Sequence, residues 1–336
     1  MGMFLVIPIF IPHRGCPHDC LFCNQQKISG YERDETAQVA VAGTIDEWLM
    51  RKKDHSQVQV AFFGGSFTCL PAGEQTELLS AVQPYIEKGK IDTIRLSTRP
   101  DCIDQAVCDL LIEFNVGVVE LGAQSLCDKV LQKSLRGHTS EHVRNALRLL
   151  KESGIQVGLQ LMPGLPGETS ASFLQSIDEV NTLKPDFVRL YPALVVKDSG
   201  LEKLYRTQQY RPLSLNKAIS LTARCYQKLT EAGIKVVRMG LQPSESLEKS
   251  VVAGPYHPAF GELVQSRLWL KKIRARLVLL RPQQKLLIHI SHRDMSAVVG
   301  MKKQNTNRLE ELGYSGRFTI LPDKNMARGS IHYAVC

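Results

Sequence analysis

The chain has 336 residues, of which 43% are hydrophobic and 22% are charged. This composition excludes a disordered or fibrous protein and is sufficient for a full hydrophobic core in one or two domains. The net charge of +9 is unevenly distributed: residues 1–260 contain 28 basic and 28 acidic side chains, whereas residues 261–336 contain 14 and 5. A neutral body with a basic C-terminal part favours a polyanionic partner such as nucleic acid, although a surface that only confers solubility explains the same charge.

The apolar start of the chain, residues 1–12, has neither a basic n-region nor a small-residue cleavage site. It is also too short to span a bilayer, and no later apolar run approaches the ~18 residues that a membrane helix needs. We therefore expect a cytoplasmic protein with no membrane partner. The nine cysteines are expected to be reduced in that compartment, and their spacing then indicates metal binding rather than disulfides.

Short apolar runs alternate with helical patterns over the first 243 residues. The predicted strands are 5–11, 58–63, 93–97, 116–121, 155–161, 187–190 and 235–238, and the predicted helices are about 36–51, 73–86, 103–113, 139–152, 169–183 and 213–232. Thr139 or Ser140 is expected to cap one of these helices, and Gly154 and Gly233 are expected to end two of them. The alternation predicts an α/β fold with a parallel sheet, and six or seven units predict a partial (β/α)6-type, TIM-like barrel.

The regular alternation of short apolar runs and helical patterns ends after Pro243. Helices are predicted near 258–272 and 294–312, and strands near 286–290 and 317–321. The sequence therefore predicts two domains, a barrel over 1–243 and a small basic α+β domain over 244–336.

Three cysteines with C-x3-C-x2-C spacing follow the first predicted strand: Cys16, Cys20 and Cys23. Three thiolates in one loop can bind one soft metal centre and leave a coordination position open. A structural zinc completed by His13 or His18 is the alternative, but zinc sites more usually pair two C-x2-C segments and no second one exists. The other six cysteines are interpreted as small buried hydrophobic residues: Cys69, Cys102, Cys108, Cys127, Cys225 and Cys336. The compact triad, with Phe22 before its last cysteine, is typical of the [4Fe-4S] cluster of radical S-adenosyl-L-methionine (SAM) enzymes.

Gly64, Gly65 and Ser66 follow the second predicted strand. Two glycines at a strand end allow the backbone to approach a ligand closely. The segment is neither a Walker nor a Rossmann loop, because no Gly-Lys-Ser/Thr and no G-x-G-x-x-G occurs. One strand–helix unit after the cysteines, it resembles the radical SAM glycine motif, which holds the methionine amino group of SAM.

Further segments occur in one order along residues 4–243, and they are similar to those of the Elongator catalytic subunit. They are 63–71 (FGGSFTCLP), 97–101 (STRPD), 121–125 (LGAQS), 135–139 (LRGHT), 161–166 (LMPGLP) and 190–196 (LYPALVV). The resemblance implies a radical SAM barrel that modifies wobble uridine in tRNA. The oxygen-independent coproporphyrinogen oxidases are more distant relatives with the same core.

The sequence departs from the Elongator pattern at four points. The first two cysteines are closer together, and Ser97 stands where the relatives carry Glu. Neither the amino-terminal tRNA-binding extension nor the acetyltransferase domain is recognised. We therefore expect the radical chemistry without carboxymethyl transfer from acetyl-CoA.

The resemblance implies roles for individual residues. Cys16, Cys20 and Cys23 would bind three irons, and the fourth iron would bind SAM. The implied SAM contacts are Phe22, Gly64, Gly65, Ser66, Ser97, Gln124, Arg136 and Gln160. A structural alternative exists for two of them, since Phe22 could fill the core and Arg136 could form a surface salt bridge. An electron donor such as flavodoxin or ferredoxin is implied, and no catalytic residue is assigned.

Other candidates remain open. Glu120 is a possible site residue, but it could equally pair with Arg95 or Arg189. His257 could belong to a lid or be a satisfied junction histidine. A basic run suits phosphate contacts, with Trp269 as a stacking platform, or forms a solvated helix face: Lys271, Lys272, Arg274, Arg276, Arg281 and Lys285.

Three functional hypotheses follow. The first is a radical SAM enzyme that acts on tRNA, bound through residues 261–336. The second is a radical SAM enzyme with a small organic substrate, as in the coproporphyrinogen oxidases. The third is a cluster- or SAM-binding protein without turnover.

Overall fold

The computed structural model describes residues 3–11, 15–24, 41–51 and 55–336. The chain divides into two compact units, the first comprising Met1–Ala218 with Cys225–Tyr256 and the second Ile219–Arg224 with His257–Cys336. The division expected after residue 243 falls inside the first unit. The physical reason is that Val251–Ala253 forms a strand that pairs with Val195–Val196 of that unit.

Among the described residues of the first unit, seven parallel strands form one sheet, and two short strands pair separately. The strands are β1 (Met3–Phe10), β2 (His55–Phe63), β3 (Thr93–Thr98), β4 (Val116–Gln124), β5 (Gln156–Leu161), β6 (Phe187–Leu190), β7 (Val195–Val196), β8 (Lys235–Met239) and β9 (Val251–Ala253). The sheet order is β1-β2-β3-β4-β5-β6-β8. An open doubly wound sheet reverses its strand order at a switch point, and this sheet does not. The predicted partial barrel is confirmed.

Helices connect the strands, as the crossovers of a parallel sheet require. The α-helices described between residues 41 and 250 are α1 (Val41–Met50), α2 (Ala72–Ser80), α3 (Gln83–Glu87), α4 (Gln105–Glu113), α5 (Asp128–Lys133), α6 (Ser140–Glu152), α7 (Ser170–Leu183), α8 (Gly200–Arg206), α9 (Leu215–Glu231) and α10 (Glu245–Ser250). All belong to the first unit except Ile219–Arg224 of α9, which belongs to the second. The helix predicted over 73–86 is split in two because Pro84 lies in the first turn of α3, where its missing N–H is tolerated. Positions 36–40 of the first predicted helix lie outside the described residues. Thr139 caps α6, and Gly154 and Gly233 have positive φ just after α6 and α9, as expected.

The two faces of the sheet differ in polarity because successive side chains of a strand point to opposite faces. One face is apolar and fully buried, with Ile94 and Leu96 from β3 and Val188 and Leu190 from β6. The opposite face carries alternating polar residues from β3 to β6: Arg95, Ser97, Glu120, Gln124, Gln160 and Arg189. The strand register pairs Ser97 with Glu120 and Gln160 with Arg189, which places these side chains side by side.

The second unit is the α+β unit expected from the sequence. Its elements are α11 (Phe260–Leu277), β10 (Leu286–Ser291), α12 (Met295–Val299), α13 (Gln304–Leu309), β11 (Phe318–Asp323) and β12 (Ile331–Val335). The sheet order is β11-β10-β12, with β10 parallel to β11 and antiparallel to β12. The strand β12 is not predicted from the sequence, and the single helix predicted over 294–312 is interrupted at Gly300, where φ is +78°. No helix in the described ranges is long and apolar enough to cross a membrane.

Candidate functional site

The cysteine loop, residues 15–24, follows β1 and is anchored to the end of α5 and the start of α8. The Leu21 N–H donates to Ser134 O at 3.1 Å, and the Leu201 N–H donates to Leu21 O at 2.7 Å. Gly15 has φ +72°, and a Cβ atom there would lie 2.4 Å from Ser66 O in the segment after β2. This close approach excludes any side chain at position 15. The fold therefore holds the cysteine loop against the segment that contains Gly64 and Gly65.

The three cysteines of the loop differ in environment. Cys20 is buried, whereas Cys16 and Cys23 are half-buried, and none of the three forms a disulfide. The Cys16 thiol donates to the carbonyl of His18 at 3.5 Å, and the Cys23 N–H donates to Cys20 O at 2.9 Å in a turn. No group of three or more His, Cys, Asp or Glu side chains in the described residues is arranged to hold a metal ion. The structure thus brings the cysteines into one loop without gathering their thiols into a ligand set, and metal binding by them stays a prediction.

Of the two histidines considered as a fourth ligand, the structure describes His18. His18 packs its ring on Gly137, whose φ is +83°, and a Cβ atom at position 137 would lie 2.3 Å from His18 Nε2. His13 lies outside the described residues.

Phe22 is buried, with an exposed fraction of 8%, and belongs to an apolar cluster beside the loop. The cluster contains Cys20, Phe22, Val130, Leu165, Ala193, Val195, Leu201 and Tyr210. The core-filling role considered for Phe22 is therefore present in the structure, and its contact with SAM stays a prediction.

The glycine segment after β2 is joined to the end of β3 and to the loop that follows it. Gly64 has φ +86°, which favours glycine, and Ser66 is buried. The hydroxyls of Thr68 and Thr98 share a buried hydrogen bond of 2.7 Å. These contacts fix the backbone that is predicted to bind the methionine amino group.

A disulfide joins the same two loops. Cys69, one residue after Thr68, is bonded to Cys102. The expectation that all nine cysteines are reduced, and that these two are simple buried hydrophobic residues, is therefore wrong. The spacing of 33 residues carries no sign of the pair, because only the adjacency of β2 and β3 brings the two loops together.

Arg136 connects β4 to the cysteine loop. Its side chain is buried, with Nη2 donating to Gly122 O at 2.8 Å and Nη1 lying 3.5 Å from Cys20 Sγ. Its Nε is buried and has no hydrogen-bond partner in the described part of the chain. The surface salt bridge that was the alternative for Arg136 is therefore not observed. Instead, the guanidinium places a positive charge and an unused donor beside a cysteine.

Gln124 lies at the end of β4, and its backbone has φ +64°, an uncommon value for a residue with a side chain. Its side chain is buried, and its Oε1 accepts a hydrogen bond from Gln160 Nε2 at 3.3 Å. A Cβ atom on Gly122 would lie 2.8 Å from Arg136 Nη2 and 3.0 Å from Gln124 Nε2. The structure thus brings Gln124, Arg136 and Gln160 together. Ser97 lies on the same sheet face, in register with Glu120.

Sequence reasoning missed a buried ion pair behind this group. Arg99, 1% exposed, donates from Nε and Nη2 to the Asp101 carboxylate at 3.0 and 2.9 Å, and from Nη2 to Arg136 O at 2.7 Å. Burial opposes its charge, but the hydrogen bonds and charge of Asp101, with attraction to Cys20 and Cys16, raise the pKa of Arg99. The i, i+2 spacing of Arg99 and Asp101 is the only sequence sign of this pair. Arg99 supports the backbone of Arg136 directly, through its hydrogen bond to the Arg136 carbonyl.

His138 lies two residues beyond Arg136 and is buried. Its Nε2 lies 3.2 Å from Ala123 O on β4. Burial and the nearby Arg136 cation lower the pKa of His138 to about 3. The imidazole is therefore neutral near pH 7, and it acts as a hydrogen-bonding brace for the end of β4.

Glu168 braces the loop after β5. It accepts hydrogen bonds from the Gly164 N–H at 2.7 Å and from Ser125 Oγ at 3.1 Å. Burial, partly opposed by these hydrogen bonds, raises the pKa of Glu168 to about 7. Tyr210 donates to the Gly164 carbonyl at 2.6 Å, and burial raises its pKa as well. The signal that could have identified Glu168 is its place at the end of the Pro-Gly-Leu-Pro-Gly segment.

Glu120 pairs with both of the arginines that the sequence analysis named as alternatives. Its Oε1 lies 3.4 Å from Arg95 Nη1 and accepts from Arg189 Nη2 at 2.9 Å. The three residues come from β3, β4 and β6, and they lie on the polar face of the sheet.

In the second unit, the basic residues of the run from Lys271 to Lys285 are exposed. Trp269 is only 5% exposed and packs in the core with Ile273 and Leu277. The proposed stacking platform is therefore wrong, because α11 turns Trp269 towards the sheet. His257 Nδ1 accepts a hydrogen bond from the Ala259 N–H at 3.0 Å, as expected of a satisfied junction histidine.

Comparison with known proteins identifies the family of the chain. The family model described as the radical SAM superfamily matches residues 10–180, and the one described as the radical SAM C-terminal domain matches residues 185–269. The chain is 27% identical over 257 residues to the tRNA uridine(34) acetyltransferase of Methanocaldococcus jannaschii, covering 64% of this chain and 47% of the relative. It is 28% identical over 270 residues to the Elongator complex protein 3 of Schizosaccharomyces pombe, covering 66% and 49%. The chain thus spans about half the length of these two relatives.

Solved structures share the fold. The archaeal Elp3 of Methanocaldococcus infernus superposes with a TM-score of 0.62 at 22% identity, over 82% of this chain and 64% of that one. The coproporphyrinogen III oxidase of Escherichia coli, described as a radical SAM enzyme, superposes with a TM-score of 0.52 at 19% identity, over 80% and 59%. At these identities the likeness concerns the fold. The match of the superfamily model to half of the sequence shows that this chain belongs to the radical SAM superfamily of enzymes.

Proposed function

We propose that this chain cleaves SAM reductively and uses the resulting 5′-deoxyadenosyl radical to modify a uridine of tRNA. One observation carries the first half of the proposal. Arg136 contacts Cys20 of the cysteine loop and Gly122 of β4, which supports a single site for the predicted cluster ligands and the predicted SAM contacts. The likeness to tRNA-modifying relatives supports the second half.

The residues of the loop fit a [4Fe-4S] cluster. Cys16, Cys20 and Cys23 supply three thiols within eight residues, which is the donor set of a cluster with one open iron. A thiolate-ligated cluster is anionic, and the buried guanidiniums of Arg136 and Arg99, which interact with Cys20, would offset its charge. Arg136 Nε and Arg99 Nη1 are buried donors that no other described residue satisfies, so both are available to anionic groups.

When bound, the reduced cluster supplies one electron for cleavage of the SAM C5′–S bond. The remaining tasks fall to the protein. The Gly64–Gly65 backbone would receive the methionine amino group, with Ser66 fixing the turn. Arg136 would bind the SAM carboxylate, because its planar fork suits a carboxylate.

The other predicted contacts complete the SAM site. Gln124, Gln160 and Ser97 present amide and hydroxyl groups on the polar sheet face, and these would hold the ribose. Phe22 would lie beside the adenine at the edge of its apolar cluster and exclude water there. Site residues of this kind determine position and solvation, whereas the cofactor carries the radical chemistry.

The proposed RNA contacts lie in the second unit. Six basic side chains from Lys271 to Lys285 are exposed and can reach phosphates without desolvation of a core residue. An electron donor such as flavodoxin or ferredoxin is the proposed reductant.

The function is tested by anaerobic reconstitution, addition of dithionite and SAM, and detection of 5′-deoxyadenosine. Formation of 5′-deoxyadenosine supports a radical SAM enzyme, and its absence from a cluster-loaded sample would leave only a binding protein. The tRNA substrate is tested separately by nucleoside mass spectrometry of tRNA from cells with and without the protein. An unchanged uridine profile in an active enzyme would direct the search to small organic substrates.

A further inference from the structure

Arg95, Glu120 and Arg189 form a charge cluster, with a buried carboxylate and two half-buried guanidiniums, that no step of the proposed function uses. Glu120, from the central strand β4, lies between the two guanidiniums. Arg95 Nη1 is 3.4 Å from Oε1, and Arg189 donates from Nη2 to Oε1 at 2.9 Å while its Nε lies 2.5 Å from Oε2. The three side chains come from different strands, so the fold rather than local sequence assembles them.

The cluster carries more positive than negative charge. In the described part of the chain, Glu120 is the only acidic side chain within ion-pair distance of Arg95 or Arg189. The strand register also places Arg238 opposite Arg189, which adds a third cation at this face. One carboxylate therefore balances at most one of these guanidiniums, and buried charges are normally paired.

Hydrogen-bond donors of the cluster are also unused. Arg95 Nε is buried and has no acceptor among the described residues, and Arg189 Nε is close to Glu120 but outside hydrogen-bond geometry. Arg189 Nη1 donates to Tyr191 Oη at 3.0 Å, and the Arg95 guanidinium lies 5.5 Å from the centre of the Phe187 ring. These contacts fix the orientation of both guanidiniums but leave the Nε–H of Arg95 without an acceptor among the described residues.

The side chains of the two arginines are more exposed to solvent than the carboxylate of Glu120. The side chains of Arg95 and Arg189 are 16% and 20% exposed, whereas that of Glu120 is 7% exposed. Burial lowers the pKa of Arg95; attraction to Glu120 only partly opposes this, and repulsion from Arg189 adds to it. The charge of Arg95 is thus undercompensated at a point that a ligand can reach.

We propose that Arg95 and Arg189 form an anion-binding subsite that holds a carboxylate or phosphate group of the substrate. The subsite lies next to the predicted SAM contacts, because Arg95 precedes Ser97 by two residues on one face of β3 and Arg189 is paired in register with Gln160. The proposed subsite rests on the proposed function, which gives the position of SAM. It adds that the substrate carries an anionic group. A guanidinium fork binds either oxyanion, so the group can come from a nucleotide phosphate or from an organic acid.

The subsite is tested by calorimetric titration of the full, cluster-loaded chain without reductant, using uridine 5′-monophosphate, uridine and glutarate. We expect uridine 5′-monophosphate or glutarate to bind and uridine not to bind. Binding of the nucleotide alone indicates a phosphate source, and binding of glutarate alone indicates an organic acid. If neither anion binds, or if uridine binds equally well, the proposal is wrong.

Two substitutions give opposite expectations. Arg95→Gln leaves a neutral Glu120–Arg189 pair and should weaken anion binding by about tenfold or more, the effect of losing a charge-assisted hydrogen bond. Glu120→Gln removes the competing carboxylate and should strengthen binding. Arg148→Gln is the matched control, because Arg148 pairs with Glu152 on an exposed helix face.

The expected results differ if the cluster of Arg95, Glu120 and Arg189 only stabilises the packing of its three strands. Arg95→Gln and Glu120→Gln would then both lower the melting temperature, and neither would shift anion affinity relative to Arg148→Gln. If Arg95→Gln does not fold, Arg95→Lys retains the charge and should retain most of the anion affinity. If the wild-type, cluster-loaded chain binds the anion but forms no 5′-deoxyadenosine, the proposed function is wrong and the proposed subsite is not contradicted.

Discussion

Arg136 Nη1 lies 3.5 Å from Cys20 Sγ, although 116 residues separate the two in sequence. The same guanidinium donates to the carbonyl of Gly122 on β4, and Arg99 holds the carbonyl of Arg136. Arg136 thereby couples the loop after β1 to the end of β4. A change on either side of this contact is expected to affect the other, because the side chain is buried and held at both ends.

The first prediction concerns the cysteine loop. Replacement of Cys16, Cys20 or Cys23 by Ala removes one of three thiolates and should abolish the visible iron–sulfur absorbance after reconstitution. Cys127→Ala is the matched control, since Cys127 is half-buried and packs against the same apolar cluster. A variant of the loop that retains its cluster, or loss of the cluster in Cys127→Ala, would show that the ligands are assigned incorrectly.

Gly122→Ala is expected to disturb SAM binding more than folding. The new Cβ would lie 2.8 Å from Arg136 Nη2 and 3.0 Å from Gln124 Nε2, and both atoms are the far ends of flexible side chains. These side chains should move, with a stability loss of about 1–2 kcal/mol from the disturbed hydrogen bond and a SAM Kd raised about tenfold. Calorimetric titration with SAM and urea denaturation measure the two effects.

Gly73→Ala serves as the control for this substitution. Gly73 lies in α2, and a Cβ there would meet nothing within 4 Å. We expect an unchanged SAM Kd and a gain in stability below the ~1 kcal/mol of a helix interior, because alanine is the better helix former but position 73 lies in the first turn. Equal SAM affinity in both variants would mean that Arg136 and Gln124 do not contact SAM.

Glu168 should contribute a pH dependence to stability. Its pKa is raised in the folded protein from the ordinary 4.5 to about 7, so the folded state binds this proton more tightly than the unfolded chain does. The contribution is therefore fully present below about pH 4.5 and is lost as the pH rises through about 7. Over this interval, the free energy of unfolding of Glu168→Gln should depend less on pH than that of the wild type, as measured by urea denaturation. The same slope in Glu168→Gln and in the wild type would rule this assignment out, and Glu152→Gln, on an exposed face, should leave the slope unchanged.

The basic residues of α11 should determine the salt dependence of tRNA binding. Log affinity should fall with log salt at a slope of about −0.7 to −0.9 for each phosphate that the protein neutralises. Changing Lys271, Lys272, Arg274 and Arg276 to Gln should make that slope shallower in proportion to the number of phosphates no longer neutralised, while SAM cleavage without substrate stays unchanged. An unchanged slope would mean that RNA docks elsewhere on the molecule.

The amino-acid sequence by itself determined the strand–helix alternation, the position of the cysteine loop after the first strand, and the concentration of positive charge after residue 260. These are properties of spacing and composition, and a parallel sheet follows from them because each crossover needs a helix. The sequence also indicated Gln124, Arg136 and Gln160, through the resemblance of their segments, and the structure brings these three together.

Only the tertiary structure decided which partners meet across strands. Glu120 contacts both Arg95 and Arg189, and Cys69 meets Cys102, because strand order and register bring distant segments together. Trp269 was misassigned for a related reason: the number of basic and aromatic residues in a segment does not tell which side of α11 packs on the sheet. Periodicity assigns a side chain to a face, whereas its neighbours are set by the packing of elements that are far apart in the chain.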